Sequence, residues 1–235
     1  MKAISSMATR HVLADLAAAA RDVGLPALDI ESVGGVDAAR RVAEGEAFDL
    51  VFLAQGALAR LASAGHVDPA TVVPLVVSEV AVAVPAVGVE AAIAPDGTAF
   101  ADAAAMREAL RGADRIGYST GPSGTALVAT IEGWGLADQL GDRLVQARPG
   151  VPVAASVAAG DVDLGFQQLS ELVGRPGIRI LGVLPPDCAI STVFAGAVAA
   201  ASGDPEAAHA LLTLMASARV DAIKTRHSFA VPVRP

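Results

Sequence analysis

The stretch Phe48-Asp-Leu-Val-Phe-Leu-Ala54 is an almost continuous apolar run that contains a single carboxylate. A short run without polar alternation is typical of a strand that is buried on both faces of a sheet. A helical pattern, Val36–Glu44, precedes this run and ends at Gly45, while another helical pattern, Ala57–Ala64, follows it and is closed by Gly65. The stretch therefore predicts a buried strand that is flanked in sequence by two helices.

The residues before this stretch repeat the same order. Ala3–Ser5 and Ala27–Val33 have strand-like patterns, and Thr9–Val23 between them has the apolar spacing of a helix. Residues 1–65 thus follow the order β-α-β-α-β-α. This order predicts a mainly parallel sheet with helices on its faces.

The rest of the chain predicts a second body of the same kind. Two β-rich segments, Val72–Val77 and Val80–Val84, are followed by a connection, Gly88–Thr98, and then by a second series of alternating strands and helices. We predict a two-lobed α/β protein in which each lobe is a mostly parallel sheet flanked by helices. Lobe one is expected at residues 1–80 plus 194–235, and lobe two at residues 81–193.

The links between the lobes suggest where a ligand binds. Extended stretches near residues 78–85 and 186–195 are the expected crossovers. Ligands of α/β sheets bind at the loops that follow the carboxyl ends of strands. We therefore expect a ligand cleft between the lobes.

The composition limits the function. The formal net charge of −8 gives no indication of a nucleic-acid partner, and a single cysteine, Cys188, excludes an internal disulfide. The patterns predict no metal site, no cofactor and no membrane span. The start of the chain has no room for the apolar segment of a signal peptide, which predicts a cytoplasmic location, or a periplasmic one if a leader has been removed.

Four turns at the predicted helix starts are candidates for binding an anion. Their residues are Ser5-Ser6 with Thr9, the Ser32–Gly35 loop, Ser119-Thr120 with Ser123, and the Gly150–Val153 turn. Free backbone N–H groups and the helix dipole favour negative charge at such places. The alternative is that these serines and threonines only cap their helices.

Several side chains could complete such a site. Arg10 and Arg148 could pair with an anion, and Gln167-Gln168 at the end of a strand offers two amides. The alternatives are solvated arginines and amides that anchor a loop. Glu31, Asp49 and Glu171 are the candidate acids or bases, of which Asp49 is expected to be structural, and we assign no catalytic residue. The predicted ligand-binding residues are Ser5, Ser6, Thr9, Arg10, Gly35, Gln55, Ser119, Thr120, Ser123, Val153, Gln167 and Gln168.

Four segments carry a family resemblance over nearly the whole chain. They are Ile4–Thr9, Ala39–Ala54, Gly117–Gly124 and Ala159–Phe166, in this order. With them the chain resembles the periplasmic-binding-protein type II superfamily, and within it the molybdate-binding-protein-like branch. The resemblance implies that the chain binds a small anion, an oxyanion or a small carboxylate. It also implies a transporter partner, which applies only if the protein is exported.

The resemblance further implies particular contacts. A serine after the first strand holds the oxyanion in molybdate binders, which here corresponds to Ser5 or Ser6. A second serine corresponds to Gly35 or Val36, and a late tyrosine corresponds to Gln168, so the ligand need not be molybdate. The same branch includes an aconitate isomerase, which makes an isomerase of an unsaturated polycarboxylate the alternative function.

Overall fold

The computed structural model describes residues 1–86, 92–148 and 150–234. It divides into two compact units, unit 1 with residues 1–78 and 192–235 and unit 2 with residues 79–191. The predicted lobe boundaries lie two residues further along the chain than these divisions. Part of the predicted connection Gly88–Thr98 lies outside the described residues.

Unit 1 combines the first half of the α/β pattern with the C-terminal helices. Its strands are β1 (Lys2–Ser6), β2 (Asp29–Val33), β3 (Leu50–Ala54), the first part of β4 (Val73–Pro85) and nearly all of β9 (Ser191–Val198). Its helices are α1 (Arg10–Asp22), α2 (Gly35–Ala43), α3 (Gln55–Ser63), α9 (Pro205–Ala216) and α10 (Asp221–Arg226).

In the sheet of unit 1, β1 lies between β2 and β3. β1 pairs in parallel with β2 on one side and β3 on the other, and β9 runs antiparallel to β3. The pairing sets Ser5 opposite both Ser32 and Phe52. The carboxyl ends of β1, β2 and β3 therefore meet at one edge of the sheet.

The apolar run that ends in β3 is buried because both of its faces are covered. Leu50 and Phe52 belong to the cluster that includes α1 and α9, and Val51 and Leu53 belong to the cluster that includes α2 and α3. Successive side chains of a strand point to opposite faces, so two helical layers require an unbroken apolar sequence. This confirms the predicted position of the strand.

Unit 2 repeats the architecture with a more mixed sheet. Its further strands are β5 (Ile116–Tyr118), β6 (Leu144–Gln146), β7 (Leu164–Gln168) and β8 (Ile178–Val183). Its helices are α4 (Ala103–Gly112), α5 (Pro122–Gly133), α6 (Ala137–Leu140), α7 (Val153–Ala158) and α8 (Leu169–Leu172). β5 pairs in parallel with β6 and β7, and β4 runs antiparallel to β7 and β8.

Two details differ from the prediction. β4 is one strand, although the sequence predicts two, because buried Ser78 and exposed Glu79 interrupt the apolar pattern without interrupting the strand. α8 is not predicted, since four residues are too few to show a helical period. Within the described ranges, the helices are all too short or too polar to cross a bilayer.

Asp49 precedes β3 and joins the N-terminus to a distant loop. Its carboxylate accepts hydrogen bonds from the Lys2 N–H at 2.8 Å, the Ser202 hydroxyl at 3.0 Å and the Gly203 N–H at 3.1 Å. Burial acts to raise the pKa of Asp49, but these hydrogen bonds outweigh it and hold the pKa below its ordinary value. The expected structural role of Asp49 thus rests on three specific contacts.

We predict that Asp49→Asn lowers the stability of the protein by about 1–2 kcal/mol at pH 7, because the amide cannot accept all three bonds. A group with a lowered pKa contributes stability above its unfolded pKa and loses it as the pH falls, so the difference from the unaltered protein should shrink below about pH 4. Urea unfolding at pH 7 and pH 3.5 measures both effects. Asp29→Asn, at an exposed position of β2, is the matched control; an equal loss in both variants would contradict the prediction.

Candidate functional site

The carboxyl edge of the unit 1 sheet and the turn after β1 carry four hydroxyl residues, Ser5, Ser6, Ser32 and Thr9. The Ser5 and Ser32 hydroxyl oxygens are 2.7 Å apart across the β1–β2 pair, and both the Ser5 and Ser6 residues are buried. The Thr9 hydroxyl donates to the Ser6 carbonyl at 3.1 Å. The predicted turn is therefore held in place by its own polar groups.

The start of α2 lies against the same turn. A Cβ atom on Gly35 would stand 3.6 Å from the Ser6 hydroxyl oxygen, in ordinary contact. The first intrahelical bond runs from the Ala38 N–H to the Gly34 carbonyl at 2.8 Å, so the N–H groups of Gly35 and Val36 precede the helical ladder. No side chain of the described residues caps this helix. We call Ser5, Ser6, Ser32, Gly34 and Gly35 the unit 1 cluster.

The alternative that Ser6 only caps the turn that follows it has weak support. The Ser6 hydroxyl accepts a hydrogen bond from the Ala8 N–H at 3.4 Å, near the upper limit for such a bond.

Arg10 and Gln55 are exposed at the first positions of α1 and α3. Gln55 directly follows β3, so it belongs to the same end of the sheet.

The turn Ser119–Gly124 opens α5 in unit 2. The Ser119 and Ser123 hydroxyl oxygens lie 2.9 Å apart, and Ser123 is buried while Thr120 is exposed. The ladder of α5 begins with the Thr125 N–H bonded to the Gly121 carbonyl at 3.1 Å, and in the described part of the chain no side chain caps the helix. The N–H groups of Ser123 and Gly124 therefore precede the ladder.

Gly124 is required for this turn. A Cβ atom there would overlap the Ser119 carbonyl group, which rests directly on the first turn of α5. Any other residue would push Ser119 away from Ser123. The sequence Ser-Gly in the turn thus has a steric reason.

The end of β7 brings amides to the same edge. β5 and β7 are in parallel register with Tyr118 opposite Phe166, so Ser119 and Gln167 follow at the same end of the sheet. Gln167 and Gln168 are both buried. We call Ser119, Ser123, Gln167, Gln168 and Glu171 the unit 2 cluster.

Gln167 binds protein groups on both sides of its amide. Its side-chain oxygen accepts from the Ala154 N–H in the first turn of α7 at 3.2 Å, and its side chain donates to the Glu171 carboxyl. The sequence does not predict the contact with Ala154. This contact also bears on the predicted anion-binding role of the Gly150–Val153 turn. The Val153 side chain is buried, and the N–H of the next residue, Ala154, donates to Gln167.

Glu171 is the carboxyl group that the structure brings to the unit 2 cluster. Burial raises its pKa to about 7, although the hydrogen bond from Gln167 and the positive charge of Arg175 both act to lower it. The Arg175 Nε donates to the Glu171 backbone carbonyl at 3.2 Å, which places that charge nearby. A carboxyl group with this pKa can give or take a proton near neutral pH.

The other ionisable candidates lie elsewhere. Glu31 pairs with Arg41 at 2.6 Å on an exposed face, and this pairing lowers the pKa of Glu31. Arg148 is exposed. The Cys188 thiol donates to the Met106 sulfur at 3.6 Å. Among the described residues, no group of three or more histidine, cysteine or acidic side chains is arranged to hold a metal ion.

Comparison with known proteins places these features in a family. The family model described as bacterial extracellular solute-binding protein matches residues 1–230. An aconitate isomerase from a Pseudomonas species is 36% identical over 177 residues, which cover 75% of this chain. The chain spans 65% of the length of that relative.

Two solved structures have the same fold. The periplasmic molybdate-binding protein of Azotobacter vinelandii matches with a TM-score of 0.76 and 19% identity, covering 99% of this chain and 100% of that one. The substrate-binding domain of a putative molybdenum ABC transporter from Clostridium difficile matches with a TM-score of 0.72 and 17% identity, covering 99% of both chains. The predicted periplasmic-binding-protein type II fold is thereby confirmed.

We predict that Gly124→Ala disrupts the unit 2 cluster and costs about 2–3 kcal/mol, because the methyl group displaces the Ser119 carbonyl. Thermal unfolding of the variant measures the loss. Gly133→Ala at the end of the same helix is the matched control, since its added Cβ would meet no atom within 4 Å. The steric account would be wrong if both variants unfolded at the same temperature.

Proposed function

The chain belongs to the bacterial extracellular solute-binding protein family, and on this premise we propose that it binds a small anion, an oxyanion or a small carboxylate. The unit 1 and unit 2 clusters are the proposed contacts. The observation that supports this proposal most is that each cluster contains a buried serine together with the start of a helix that no side chain caps among the described residues. The cleft between the lobes stays a prediction.

The chemistry of both clusters suits a negative ligand. Backbone N–H groups and hydroxyls donate hydrogen bonds without bringing a fixed positive charge, and the helix dipoles add an attraction that is short-ranged. α2 has nine residues and α5 has twelve, so each is long enough to carry a dipole. The two clusters therefore support recognition by neutral donors.

The family also bears on partner and location. A solute receptor delivers its ligand to a membrane transporter, and we propose such a partner for this protein if it is exported. The cytoplasmic location predicted from the sequence remains an alternative. Cell fractionation with an antibody against the protein separates the two locations.

We predict that Ser6→Ala and Ser123→Ala each weaken anion binding by about 10-fold or more, since each removes a hydrogen bond to a charged group. Isothermal titration calorimetry with molybdate, sulfate, phosphate and trans-aconitate identifies the anion that binds and measures the loss. Ser63→Ala is the control, because Ser63 is exposed and donates to the Ala59 carbonyl within α3. Failure of all four anions to bind the unaltered protein would overturn the proposal, and an effect of one serine alone would remove the other cluster from the site.

A second candidate is an isomerase of an unsaturated polycarboxylate. The 36% identity to an aconitate isomerase suggests this reaction. The structural observation that favours it is Glu171, whose pKa of about 7 suits proton transfer. Moving a double bond along such a substrate requires a proton to leave one carbon and another to reach a second carbon. A carboxyl group in the unit 2 cluster could serve one of these transfers.

If the chain is such an isomerase, we predict that Glu171→Gln slows the interconversion of cis- and trans-aconitate by about 100-fold or more. A time course of ¹H NMR spectra at high protein concentration measures the rate. Glu132→Gln, at an exposed position of α5, is the matched control. No interconversion by the unaltered protein would exclude this reaction and leave the binding proposal intact.

A further inference from the structure

Arg41 lies in the last turn of α2 and joins that helix to the strand before it. Its Nη1 and Nη2 atoms donate to the two carboxylate oxygens of Glu31 at 2.6 and 2.9 Å. Glu31 lies in β2, directly before Ser32 of the unit 1 cluster. The link from helix to strand therefore spans the segment that contains Ser32, Gly34 and Gly35.

The same guanidinium is held on two further sides. Its Nε donates to the Glu46 carboxylate at 2.6 Å, and its Cζ lies 5.6 Å from the centre of the Phe48 ring, which is buried in the cluster that includes α2 and α3. Only 18% of the Arg41 side chain is exposed. A single exposed ion pair adds little, but a planar fork that meets two carboxylates and stacks on an aromatic ring is fixed in one orientation.

The neighbouring Arg40 makes contacts of a different kind. It donates to Asp37 and to Glu44, each at 2.5 Å, which lie three residues before it and four residues after it. Both pairs stay within α2 and its C-terminal cap, and 56% of the Arg40 side chain is exposed. Arg40 thus matches Arg41 in charge and in helix, without the link to β2.

The geometry of the unit 1 cluster depends on the position of the loop between β2 and α2. A Cβ atom on Gly34 would meet no atom within 4 Å, and among the described residues no side chain caps the start of α2. The Ser32 hydroxyl oxygen must nevertheless stay 2.7 Å from that of Ser5 for the cluster to keep its form. Hydrogen bonds weaken steeply with distance and angle, so a small displacement of the loop would weaken an anion's contacts.

We infer that Arg41 is a positioning residue for anion binding, because its link to Glu31 holds the Ser32–Gly35 loop in place. The inference rests on the proposed function and concerns the unit 1 cluster. The carboxylates of Glu31 and Glu46 both pair with the guanidinium, so its charge is compensated locally. Arg41 therefore acts on the anion through the position of the loop and not as a free positive charge.

The test compares Arg41→Met with Arg40→Met, which remove the same charge from the same helix. Calorimetric titration of the whole chain with molybdate, sulfate, phosphate and trans-aconitate measures the dissociation constant of the anion that binds. We expect Arg41→Met to weaken binding by about 5-fold or more, and Arg40→Met by less than about twofold. Circular dichroism at the temperature of the titration checks that both variants are folded.

Glu31→Gln separates position from charge. Removing a negative charge near the site would strengthen anion binding if charge alone mattered, whereas loss of the link should weaken it. Combining Glu31→Gln with Arg41→Met should add less than about a twofold loss to that of Arg41→Met, since both changes break one link. Glu31 is half-exposed, so this variant carries the test if Arg41→Met does not fold.

A ¹⁵N-resolved NMR spectrum of the free protein gives a second readout. The signals of Ser32, Gly34 and Gly35 should move in Arg41→Met and stay in place in Arg40→Met. Equal losses of affinity in these two variants, tighter binding by Glu31→Gln, or loop signals that do not move would overturn the inference and leave anion binding intact. Failure of every anion to bind the unaltered protein would overturn the proposed function and this inference together.

Discussion

Parallel strands that are covered on both faces place the functional groups of this protein. Each such strand must be followed by a segment that returns over the sheet, and here the helices α2, α3 and α5 begin close to strand ends. Polar residues at those ends collect at one edge of each unit's own sheet, because the register sets Ser5 opposite Ser32 in unit 1 and Tyr118 opposite Phe166 in unit 2. The hydroxyls of the two clusters are consequences of that constraint.

The sequence predicts the elements better than the contacts between them. The strand that is predicted to end at Gln167-Gln168 is β7, which ends at Gln168, and the apolar run Phe48–Ala54 contains β3, because burial of a strand imposes a recognisable apolar pattern. The bond between Gln167 and the Ala154 N–H joins residues 13 positions apart, and the Ser5–Ser32 contact joins residues 27 apart. Such contacts depend on strand register and side-chain rotamers, which periodicity does not specify.

The same limit explains how the candidate site is refined. The sequence suggests Gln167 as a direct ligand of the anion. In the structure its side-chain oxygen accepts a hydrogen bond from the Ala154 N–H, and its NH₂ group donates to the Glu171 carboxyl. Glu171 appears in the sequence as one of three candidate carboxyl groups, and the other two are tied to Arg41 and to the Lys2 N–H. The surroundings of a side chain, which the sequence does not give, distinguish Glu171, which can titrate near neutral pH, from Glu31 and Asp49, which are held in structural contacts.

The central claim is that the uncapped helix starts of the unit 1 and unit 2 clusters bind a small anion. A ¹⁵N-resolved NMR titration with the anion that binds tests it most directly, because it reports each backbone N–H separately. The account predicts that the signals of Gly35, Val36, Ser123 and Gly124 shift as the anion is added, while those of other residues such as Gly133 and Ser202 stay in place. Shifts confined to one cluster, or to neither, would contradict it.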